Sequence, residues 1–401
     1  MRSHKQPALV RKTCRVSTVF SDTMPDLDAG WDHILPETRP PCSQLMGEAP
    51  YPKLVTVDAN HYVIGNEIST GGMGRIRIAK DRRLDRKVAI KEALRNNDEF
   101  ARRFEREARI TARLQHPSIV SVHEAGQWTT GIPFYAMPYI EGQSLDEVLR
   151  KTRSLEDRLA LVPHVLAVAD AVAYAHRYRI IHRDLKPKNV MIGPFGETIV
   201  IDWGLAKDLN DQDDQLSSEV HVHQLTPETE HSAILGTPTY MPPEQAQGRG
   251  VDERADAYSL GAILYEVLAG QPPYHGASPD DVLMQVRREA PRPLRQVVPS
   301  VPVDLAAIVA KAMARDPVDR YPSAKELAED LRCFQTGLLV GAHRYTFGQL
   351  TCRFLRKNRV AVVVASVLLL ILAGLSIYSI QRISANPTLP CTCEASPTIS
   401  A

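Results

Sequence analysis

An uncharged run of 21 residues, Val360 to Ile380, constrains this chain more than any other feature of its sequence. As an α-helix it would extend about 31 Å, close to the thickness of the hydrocarbon core of a bilayer. A buried core helix is the alternative reading, but core helices of this length are rarely apolar on every face. The sequence therefore predicts a transmembrane helix over 360–380, which would place this part of the chain in contact with a lipid bilayer.

The charges beside this run predict its orientation, because the side richer in Lys and Arg usually faces the cytoplasm. Four basic residues precede the run and one follows it: Arg353, Arg356, Lys357, Arg359 and then Arg382. We therefore expect residues 1–359 on the cytoplasmic side of the plasma (inner) membrane and 381–401 as a short extracytoplasmic tail. No apolar signal-peptide region precedes the run near the N-terminus.

The overall composition excludes several classes of protein. The 401 residues include 48 Lys plus Arg and 47 Asp plus Glu, which gives a net charge of +1. A dedicated nucleic-acid binder would usually be clearly basic, so we expect no nucleic-acid partner. With 44 % apolar residues, wholesale disorder is also excluded. The six cysteines have neither the density of a disulfide scaffold nor the spacing of a zinc site.

Patterning divides the rest of the chain into three regions. Residues 1–61 contain many prolines and an acid-free basic start, and they predict a flexible leader. Residues 62–335 have the pattern of one compact catalytic unit. Residues 336–359 mix aromatic and basic residues, which is consistent with either an interfacial helix on the inner leaflet or an irregular tether.

The first part of the compact unit is strand-like and the second part is helical. The expected strands are 62–68, 75–79, 87–92 and 134–137, and the expected helices include 98–114, 159–178 and a buried core helix over 259–269. Ser144 with Glu147, and Ser323 with Glu326, form capping boxes that predict helix starts. The predicted fold class is thus α+β, with a β-rich first lobe and a helical second lobe.

A glycine-rich turn joins the first two expected strands in the segment Ile68-Ser-Thr-Gly-Gly-Met-Gly-Arg-Ile76. Glycines allow backbone N–H groups to approach phosphate oxygens without obstruction. The segment lacks the Gly-Lys-Ser/Thr ending of a P-loop and the strand-to-helix setting of a dinucleotide fold. An ordinary hairpin turn remains an alternative on this feature alone.

Lys91 ends the strand segment Val88-Ala-Ile-Lys and is expected to face the side opposite Val88 and Ile90. An isolated strand lysine is usually solvated. However, Glu107 lies on the apolar stripe of the helix that follows, where a buried carboxylate requires a cation. Lys91 is therefore a plausible partner of Glu107.

The strongest pattern lies at 182–204. His182-Arg-Asp-Leu-Lys-Pro-Lys-Asn189 leads into a short strand, a Gly-Pro-Phe-Gly turn, a second strand and Asp202-Trp203-Gly204. In an antiparallel hairpin Asn189 and Asp202 come side by side at the open end. An amide oxygen and a carboxylate suit Mg²⁺, and Asp184 in the same loop is free to act as a base. Each residue alone has a simpler reading as a turn former.

Taken together, these motifs resemble those of bacterial Hanks-type, eukaryote-like serine/threonine protein kinases, in the family's order and over about two thirds of the chain. The resemblance implies a bilobal protein-kinase fold with an N-lobe at about 62–137, a hinge at about 138–143 and a C-lobe at about 144–335. It implies transfer of the γ-phosphate of ATP to Ser or Thr hydroxyls of protein substrates.

The resemblance also implies roles for single residues. Asp184 would be the catalytic base, Lys186 would steady the γ-phosphate, and Lys91 would hold the α- and β-phosphates while pairing with Glu107. Asn189 and Asp202 would bind Mg²⁺. The ATP site would comprise the glycine loop and the segment between the lobes: Ile68, Ser69, Thr70, Gly71, Gly72, Met73, Gly74, Arg75, Ile76, Lys91, Met137, Tyr139 and Ile140. In the family, an acid like Glu244 pairs with a later arginine, here Arg320, and an aspartate like Asp256 anchors the catalytic loop.

Four positions depart from the family pattern: Ser69 replaces the first glycine, Trp203 the usual Phe, Pro242 the usual Ala before Pro-Glu, and Pro138 the hinge Glu. Ser69 and Trp203 keep open a pseudokinase, that is, a nucleotide-binding membrane scaffold without transfer activity. A membrane adaptor that binds no nucleotide is a third reading.

Regulation is expected at the activation segment, between Asp202 and Glu244. Arg183 precedes the catalytic base, and in such kinases this arginine often receives a phosphate on that segment. The candidate acceptors are Ser217, Ser218, Thr226, Thr229 and Ser232. A homodimer would allow autophosphorylation in trans, and the sequence leaves the oligomeric state open.

Overall fold

The computed structural model describes residues 54–71, 74–94, 98–210, 238–343, 345–346, 348 and 358–385. A five-stranded antiparallel sheet with the order β1-β2-β3-β5-β4 forms the first lobe. Its strands are β1 (Tyr62–Thr70), β2 (Gly74–Asp81), β3 (Arg86–Ala93), β4 (Glu124–Gln127) and β5 (Pro133–Pro138). The four strands expected from the sequence, β1, β2, β3 and β5, are therefore confirmed, with ends that extend by one or two residues, whereas β4 was not predicted.

Successive side chains along each strand point alternately to the two faces of this sheet. Val88 and Ile90 are fully buried in one apolar cluster, together with Phe134 and Trp128. Ala89 belongs to the main core on the other face. Lys91, two residues further along β3, therefore has the orientation that the sequence predicts.

One long helix packs against the second face. Helix α1 (Asp98–Arg113) matches the expected 98–114. Its buried residues Phe104, Ala108 and Ile110 join the main core, which also contains Ala89 of β3. Glu107 is buried on this same stripe, at 2 % exposure, so the carboxylate faces the sheet and not solvent.

The second lobe is mainly helical, with short strands near its junction with the sheet. The short strands are β6 (Gln143–Ser144), β7 (Ile180–Ile181), β8 (Val190–Ile192), β9 (Thr198–Val200) and β10 (Lys207–Asp208). The helices are α2 (Leu145–Lys151), α3 (Leu155–Leu159), α4 (Val162–Arg177), α5 (Pro243–Ala246), α6 (Glu253–Ala269), α7 (Pro279–Arg288), α8 (Leu294–Val297), α9 (Val303–Ala312) and α10 (Ala324–Gln335).

Two helix starts show how local sequence sets the boundaries. Both expected capping boxes form, at Ser144 before α2 and at Ser323 before α10. The helix expected over 159–178 instead begins at Val162, and a separate short helix, α3, precedes it. Pro163 accounts for this start, because proline lacks the N–H of the helix interior and fits the first turn.

Helix α6 is the centre of the helical lobe. Nearly every residue of Glu253–Ala269 is buried, which confirms the expected core helix and extends it towards the N-terminus. The Asp252 side chain caps its start by accepting from Arg254 N. Gly270 ends it with a φ of 73°, a left-handed conformation that favours glycine.

The described residues on either side of 62–335 also contact this unit. Thr56 pairs with Gln127 at the β4 edge in a parallel bridge, and Val57 is buried. Beyond α10, the Asp330 carboxylate accepts from the backbone N–H groups of Gly341 and Ala342 at 2.7 and 2.9 Å. The packed unit therefore reaches further in both directions than its sequence pattern indicates.

A separate apolar helix, α11 (Arg359–Ala385), covers the uncharged run. By length and composition, two described helical segments are candidates for a membrane span, Leu155–Arg177 and Val362–Gln381. The first is half buried within the helical lobe, as expected of a core helix, whereas none of Val362–Gln381 is buried. The second segment therefore stays the candidate span.

Several sequence predictions concern residues outside the described ranges. These are the leader at 1–53, Gly72 and Met73 of the glycine loop, the candidate acceptors Ser217, Ser218, Thr226, Thr229 and Ser232, Thr237, the linker positions Arg344, Phe347 and 349–357, and the tail at 386–401.

Candidate active site

Three charged side chains from three different elements meet between the lobes. Lys91 Nζ, on β3, donates to Glu107 Oε1 on α1, and it also donates to Asp202 Oδ1 at 3.1 Å. The Lys91 and Glu107 side chains are almost fully buried, whereas the Asp202 side chain is 43 % exposed. The ion pair expected between Lys91 and Glu107 therefore forms, with Asp202 on its open side.

This arrangement stabilises the charged forms of the buried groups. Burial by itself would lower the pKa of Lys91. The oxygen atoms of Tyr135, Glu107 and Asp202 outweigh that effect, so the pKa of Lys91 is raised well above its ordinary value. Burial would likewise raise the pKa of Asp202, but the Lys91 ammonium holds it below the ordinary value. An ammonium and a carboxylate thus face each other at neutral pH.

The loop between β7 and β8 holds the remaining polar groups of the predicted catalytic set. Lys186 Nζ donates to Asp184 Oδ2 at 2.6 Å. Asn189 Nδ2 donates to the backbone carbonyl of Asp184 at 2.9 Å. Both the Asp184 and the Lys186 side chains keep part of their surface exposed, at 11 % and 18 %. The Asp184 carboxylate is therefore held in place and still reachable.

The hairpin of β8 and β9 brings Asn189 and Asp202 to the same end, as its register predicts. Val190 pairs with Val200, and Ile201 N donates to Asn189 O at 2.9 Å just beyond that pair. Asp202 then turns out of the hairpin with a φ of 62°, a conformation that is uncommon for a non-glycine residue.

The donor set at this end fits a divalent cation that prefers oxygen. Because Asn189 Nδ2 is used as a donor, the amide oxygen is the end that remains for a ligand. The Asp202 carboxylate adds a hard, charged oxygen on the exposed side. Within the described ranges, no group of three or more His, Cys, Asp or Glu residues has the arrangement of a metal site. A cation here would therefore use few protein ligands, as Mg²⁺ does when phosphates supply the others.

The glycine-rich turn lies at the end of the β1–β2 pair. Gly71 N donates to Gly74 O at 2.9 Å across the turn. A Cβ at Gly74 would lie 2.7 Å from the backbone oxygen of Glu92, so only glycine fits there. Ile76 pairs with Lys91 in the sheet, and a Cβ at Gly74 would lie 3.5 Å from Lys91 Cγ, so the β2 end of the turn is next to the Lys91 side chain. Ile68, Ser69, Thr70 and Arg75 flank the turn on β1 and β2.

The segment between the lobes follows β5. Met137 is buried and pairs with Ala89, while Pro138 pairs with Val88 and ends the strand. Tyr139 and Ile140 are half-buried beyond it. Pro138 lacks an N–H, so any polar contact from this segment to a ligand would come from its neighbours.

A buried aspartate supports the catalytic loop from below. The Asp256 carboxylate, on α6, accepts from His182 N at 2.8 Å, from Arg183 N at 2.9 Å and from the His176 ring at 2.9 Å. Burial would raise the pKa of Asp256, but the hydrogen bond and charge of His176 outweigh it, and the pKa lies below the ordinary value. The anchoring role that the resemblance implied thus has a direct geometric basis.

The second expected long-range pair also forms. Arg320 donates to both oxygens of Glu244, at 2.6 and 2.8 Å. The Arg320 side chain is fully buried and also donates to backbone carbonyls, including that of Ala314 at 2.7 Å. This bidentate contact joins the start of α5 to the turn before α10.

Trp203, which stands where the family usually has Phe, is buried and does not expose the site. Trp203 is 1 % exposed, and its ring lies 4.6 Å from that of His182, centroid to centroid. It thus occupies a core position as a large apolar side chain. Its indole N–H is buried with no hydrogen-bond partner among the described residues. Pro242, the third departure, immediately precedes α5.

Sequence reasoning missed several residues at this site. Tyr135 donates to Glu107 Oε1 at 2.7 Å, and Gln245 Nε2 donates to Arg183 O at 3.0 Å. Tyr135 lies two residues before Met137 on the same strand, so the period of two could have placed it on the cleft-facing side. Gln245 follows Glu244 in a short helix, where no local pattern indicates a contact with Arg183.

A β-rich lobe, a helical lobe and this set of polar groups between them define a protein kinase fold. The lysine–glutamate pair, the hairpin of Asn189 and Asp202, and the anchored Asp184 loop occupy the positions that the resemblance predicts. The class is thereby that of bilobal phosphotransferases that use ATP and a divalent metal.

Comparisons with known proteins agree with this class. The family model described as "Protein kinase domain" matches residues 62–331. The chain is 38 % identical to "Serine/threonine-protein kinase PknB" of Mycobacterium leprae over 279 residues, which cover 68 % of this chain and 43 % of that protein. It is 37 % identical to "Probable serine/threonine-protein kinase SCO3848" of Streptomyces coelicolor over 287 residues, 70 % and 41 % of the two chains. The chain belongs to the protein kinase family, in its bacterial Hanks-type serine/threonine branch.

A solved structure gives the same result for the fold. The crystal structure of the Mycobacterium tuberculosis PknI kinase domain is similar, with a TM-score of 0.50 and 26 % identity, and covers 68 % of this chain and 95 % of that one. The chain spans about two fifths of the length of the curated relatives that it matches.

Proposed function

We propose that this protein is a membrane-tethered serine/threonine protein kinase, which transfers the γ-phosphate of ATP to Ser or Thr hydroxyls of protein substrates. The observation that carries the proposal is the convergence of Lys91, Glu107 and Asp202 beside the Asp184–Lys186 pair. Phosphoryl transfer needs positioning and charge neutralisation more than covalent participation, and these groups supply both.

Each side chain has a role that follows from its surroundings. Asp184, held by Lys186 at 2.6 Å, orients the acceptor hydroxyl and takes up its proton. Lys186 and Lys91 contribute positive charge next to the transferred phosphates. Glu107 keeps the Lys91 amine directed into the cleft, because the buried carboxylate fixes its position.

Asn189 and Asp202 would hold Mg²⁺ through one amide oxygen and one carboxylate. When bound, the metal neutralises charge on the phosphates that is otherwise left to the two lysines. The nucleotide itself would lie between the glycine-rich turn (Ile68 to Ile76) and the segment of Met137, Tyr139 and Ile140. Gly74 allows the turn to pack closely on β3 beside Lys91, since a Cβ there would lie 2.7 Å from the backbone oxygen of Glu92.

The acceptor specificity is proposed from the motifs. Lys186 lies two residues after the base, and Thr237 lies in the Gly-Thr-Pro segment before Glu244. Both resemble the pattern of serine/threonine kinases and not that of tyrosine kinases. The two relatives named above carry the same specificity in their names.

The decisive experiment is phosphate transfer from labelled ATP by the purified full-length protein, with Mg²⁺ and a generic acceptor protein. We expect transfer by the wild type and none by Asp184→Asn or Lys91→Met. Equal incorporation by wild type and Asp184→Asn would contradict the proposal. Nucleotide binding without transfer by the wild type would instead support the pseudokinase alternative, and an absence of binding in a thermal-shift titration would support the adaptor alternative.

The membrane tether is supported by α11 and its flanking charges. Val362–Gln381 has a mean hydropathy of 2.5 with no buried residues, and the basic residues precede it. In intact cells, a membrane-impermeant maleimide should label Cys391 and Cys393 after mild reduction. Cys391→Ser with Cys393→Ser should abolish labelling, whereas persistent labelling of that double variant would contradict the proposed orientation.

Activation by phosphorylation of the activation segment is supported by three cations that act on one another, Arg106, Arg183 and Lys207. Burial and the nearby Arg106 guanidinium lower the pKa of Arg183 to about 10, against the attraction of Asp256. Burial, Arg183 and Arg106 likewise lower the pKa of Lys207. Cations that weaken one another's charged forms gain stability from a phosphate between them.

Phosphopeptide mapping of the active protein tests this activation step. We expect phosphate on at least one of Ser217, Ser218, Thr226, Thr229 and Ser232, and none on Asp184→Asn expressed alone. Modification of Asp184→Asn by added wild-type protein would support transfer in trans within a homodimer. An active protein without phosphate in this stretch would contradict activation by this route.

A further inference from the structure

We propose that Tyr135 is a positioning residue of the active site, whose hydroxyl holds the Glu107 carboxylate where it receives Lys91. This inference rests on the phosphotransferase function proposed above. It adds a third member to the lysine–glutamate pair, from a strand to which the sequence motifs assign no polar role.

The geometry places Tyr135 directly at the ion pair. Tyr135 on β5 pairs with Lys91 on β3 in the antiparallel sheet. Its hydroxyl donates to Glu107 Oε1 at 2.7 Å, and Lys91 Nζ donates to the same oxygen atom. One carboxylate oxygen on α1 therefore receives donors from two adjacent strands.

The state of the second carboxylate oxygen of Glu107 makes the Tyr135 hydroxyl more important. Glu107 Oε2 is buried, and no described residue donates a hydrogen bond to it. Lys91 and Tyr135 are therefore the side chains that compensate for the burial of this carboxylate. The loss of one of two donors to a buried charged acceptor is costly, because the desolvation of the carboxylate is then less well compensated.

The Tyr135 hydroxyl stays protonated, so it can act as a permanent hydrogen-bond donor to Glu107. The residue is 3 % exposed, and burial, reinforced by Glu107, raises the pKa of its hydroxyl well above the ordinary value. The group therefore keeps its proton throughout the physiological range. A neutral hydroxyl next to a carboxylate can only donate to it.

The ring of Tyr135 also lies next to Phe104 on α1 and next to the Lys91 amine. It lies 5.4 Å from the Phe104 ring on α1, centroid to centroid, and Lys91 Nζ lies 5.9 Å from its centroid. Tyr135 thus links α1 to the sheet through a hydrogen bond and an aromatic contact. Since Tyr135 itself lies behind the ion pair, it acts on the reaction through Glu107 and Lys91.

The test uses Tyr135→Phe in the full-length protein, because this change removes the hydroxyl and keeps the ring. We expect kcat/KM for ATP to fall about tenfold, which corresponds to about 1.4 kcal/mol of transition-state stabilisation. The matched control is Tyr274→Phe, which removes a buried hydroxyl that bonds Tyr258 at 3.0 Å in the helical lobe. The control should leave kcat/KM unchanged.

A double-mutant cycle with Glu107→Gln separates positioning from packing. If Tyr135 acts through Glu107, Tyr135→Phe should change the dissociation constant of Mg–ATP much less in the Glu107→Gln background than in the wild type. The dissociation constant, measured by direct binding, does not require turnover, so the cycle is complete even where Glu107→Gln is inactive.

The outcomes distinguish this inference from the proposed function. An equal effect of Tyr135→Phe in both backgrounds, no effect in the wild type, or an equal loss in Tyr135→Phe and Tyr274→Phe would overturn the positioning role. If the wild type transfers no more phosphate than Asp184→Asn, the proposed function itself fails.

Discussion

The carboxylate of Asp256 holds the backbone of Arg183 in a left-handed conformation. Asp256 Oδ1 accepts from Arg183 N at 2.9 Å, and Arg183 has a φ of 66°. A non-glycine residue in this region costs about 1–3 kcal/mol and persists only where surrounding contacts enforce it. The next residue is Asp184, so a buried carboxylate in the helical lobe determines where the proposed catalytic base lies.

We therefore expect Asp256→Asn to lower both stability and activity. The amide has one acceptor oxygen, whereas the carboxylate now accepts from His182, Arg183 and His176. Loss of charge-assisted hydrogen bonds in a fully buried site should reduce the free energy of unfolding by about 2–3 kcal/mol. Urea unfolding and phosphate transfer measure the two effects.

The matched control for that variant is Asp252→Asn at the start of the same helix. Asp252 is a cap whose side chain accepts from Arg254 N at 2.9 Å, and asparagine caps helices about as well as aspartate. Its effect should stay below about 0.5 kcal/mol. An equal loss in both variants would contradict a special role for Asp256.

The pH dependence of stability should differ between wild type and Asp256→Asn. The pKa of Asp256 is lower in the folded protein than the unfolded value of about 3.9. The carboxylate therefore contributes stability that is fully present above the unfolded pKa and is lost as pH falls through the folded pKa. The stability gap between the two proteins should narrow as the pH falls below about 4. A gap that widens on acidification would contradict this assignment.

Arg320→Lys should be strongly destabilising although it conserves charge. Arg320 is fully buried and donates to both oxygens of Glu244, a geometry that lysine does not reproduce. We expect a loss of about 3 kcal/mol, because the Glu244 carboxylate loses part of its compensation. Differential scanning calorimetry measures the change.

Arg332→Lys is the control, since Arg332 also donates to both oxygens of a carboxylate, that of Asp170, although it does so through Nη2 alone. That pair is solvent-exposed, with side-chain exposures of 51 % and 38 %. An exposed pair contributes about 0–1 kcal/mol, so the control should change little. Similar losses in the two variants would show that burial is not the deciding factor.

Glu92→Gln should weaken ATP binding more than turnover. Glu92 accepts from Arg75 Nε at 2.8 Å and from Trp128 Nε1 at 2.9 Å, so it links the residue after Gly74 to Trp128, just beyond β4. The Arg75 side chain is 40 % exposed, which limits the value of this ion pair to less than about 1 kcal/mol. KM for ATP should rise about threefold with kcat nearly unchanged.

The control for the glycine-loop prediction is Asp85→Asn, which removes an exposed pair with Lys80 at the turn between β2 and β3. Steady-state kinetics should show no change in KM for this variant. A fall in kcat for Glu92→Gln without a rise in KM would contradict the proposed effect on the loop.

Much of the fold follows from short-range patterns. Alternation over Val88 to Lys91 predicts which side chain leaves the sheet towards α1, and the apolar stripe of α1 predicts that Glu107 is buried. The hairpin turn brings Asn189 opposite the residues before Asp202. These patterns are reliable because residues two to four positions apart, or paired across a tight turn, have their relative orientation set by backbone geometry.

Contacts between elements that are far apart in the sequence were harder to predict. Local spacing alone does not indicate that Tyr135 and Lys91 donate to the same oxygen atom of Glu107, because Tyr135 and Glu107 are 28 positions apart in the sequence. The same holds for the Asp330 carboxylate and the N–H groups of Gly341 and Ala342, which extend the packed unit beyond α10. Such contacts depend on how whole helices and sheets pack, and many packings satisfy the same periodicity.

The amino-acid sequence by itself determined most strands of the first lobe, helix α1, the buried core helix α6, the family and the motif residues of the site, but not Tyr135 or Gln245. Only the tertiary structure decided which atoms meet: the shared oxygen of Glu107, the three donors to Asp256 and the bidentate contact of Arg320 with Glu244. The physical reason is that secondary structure depends on neighbouring residues, whereas hydrogen bonds between side chains require positions set to within about 0.5 Å by the packing of the whole domain.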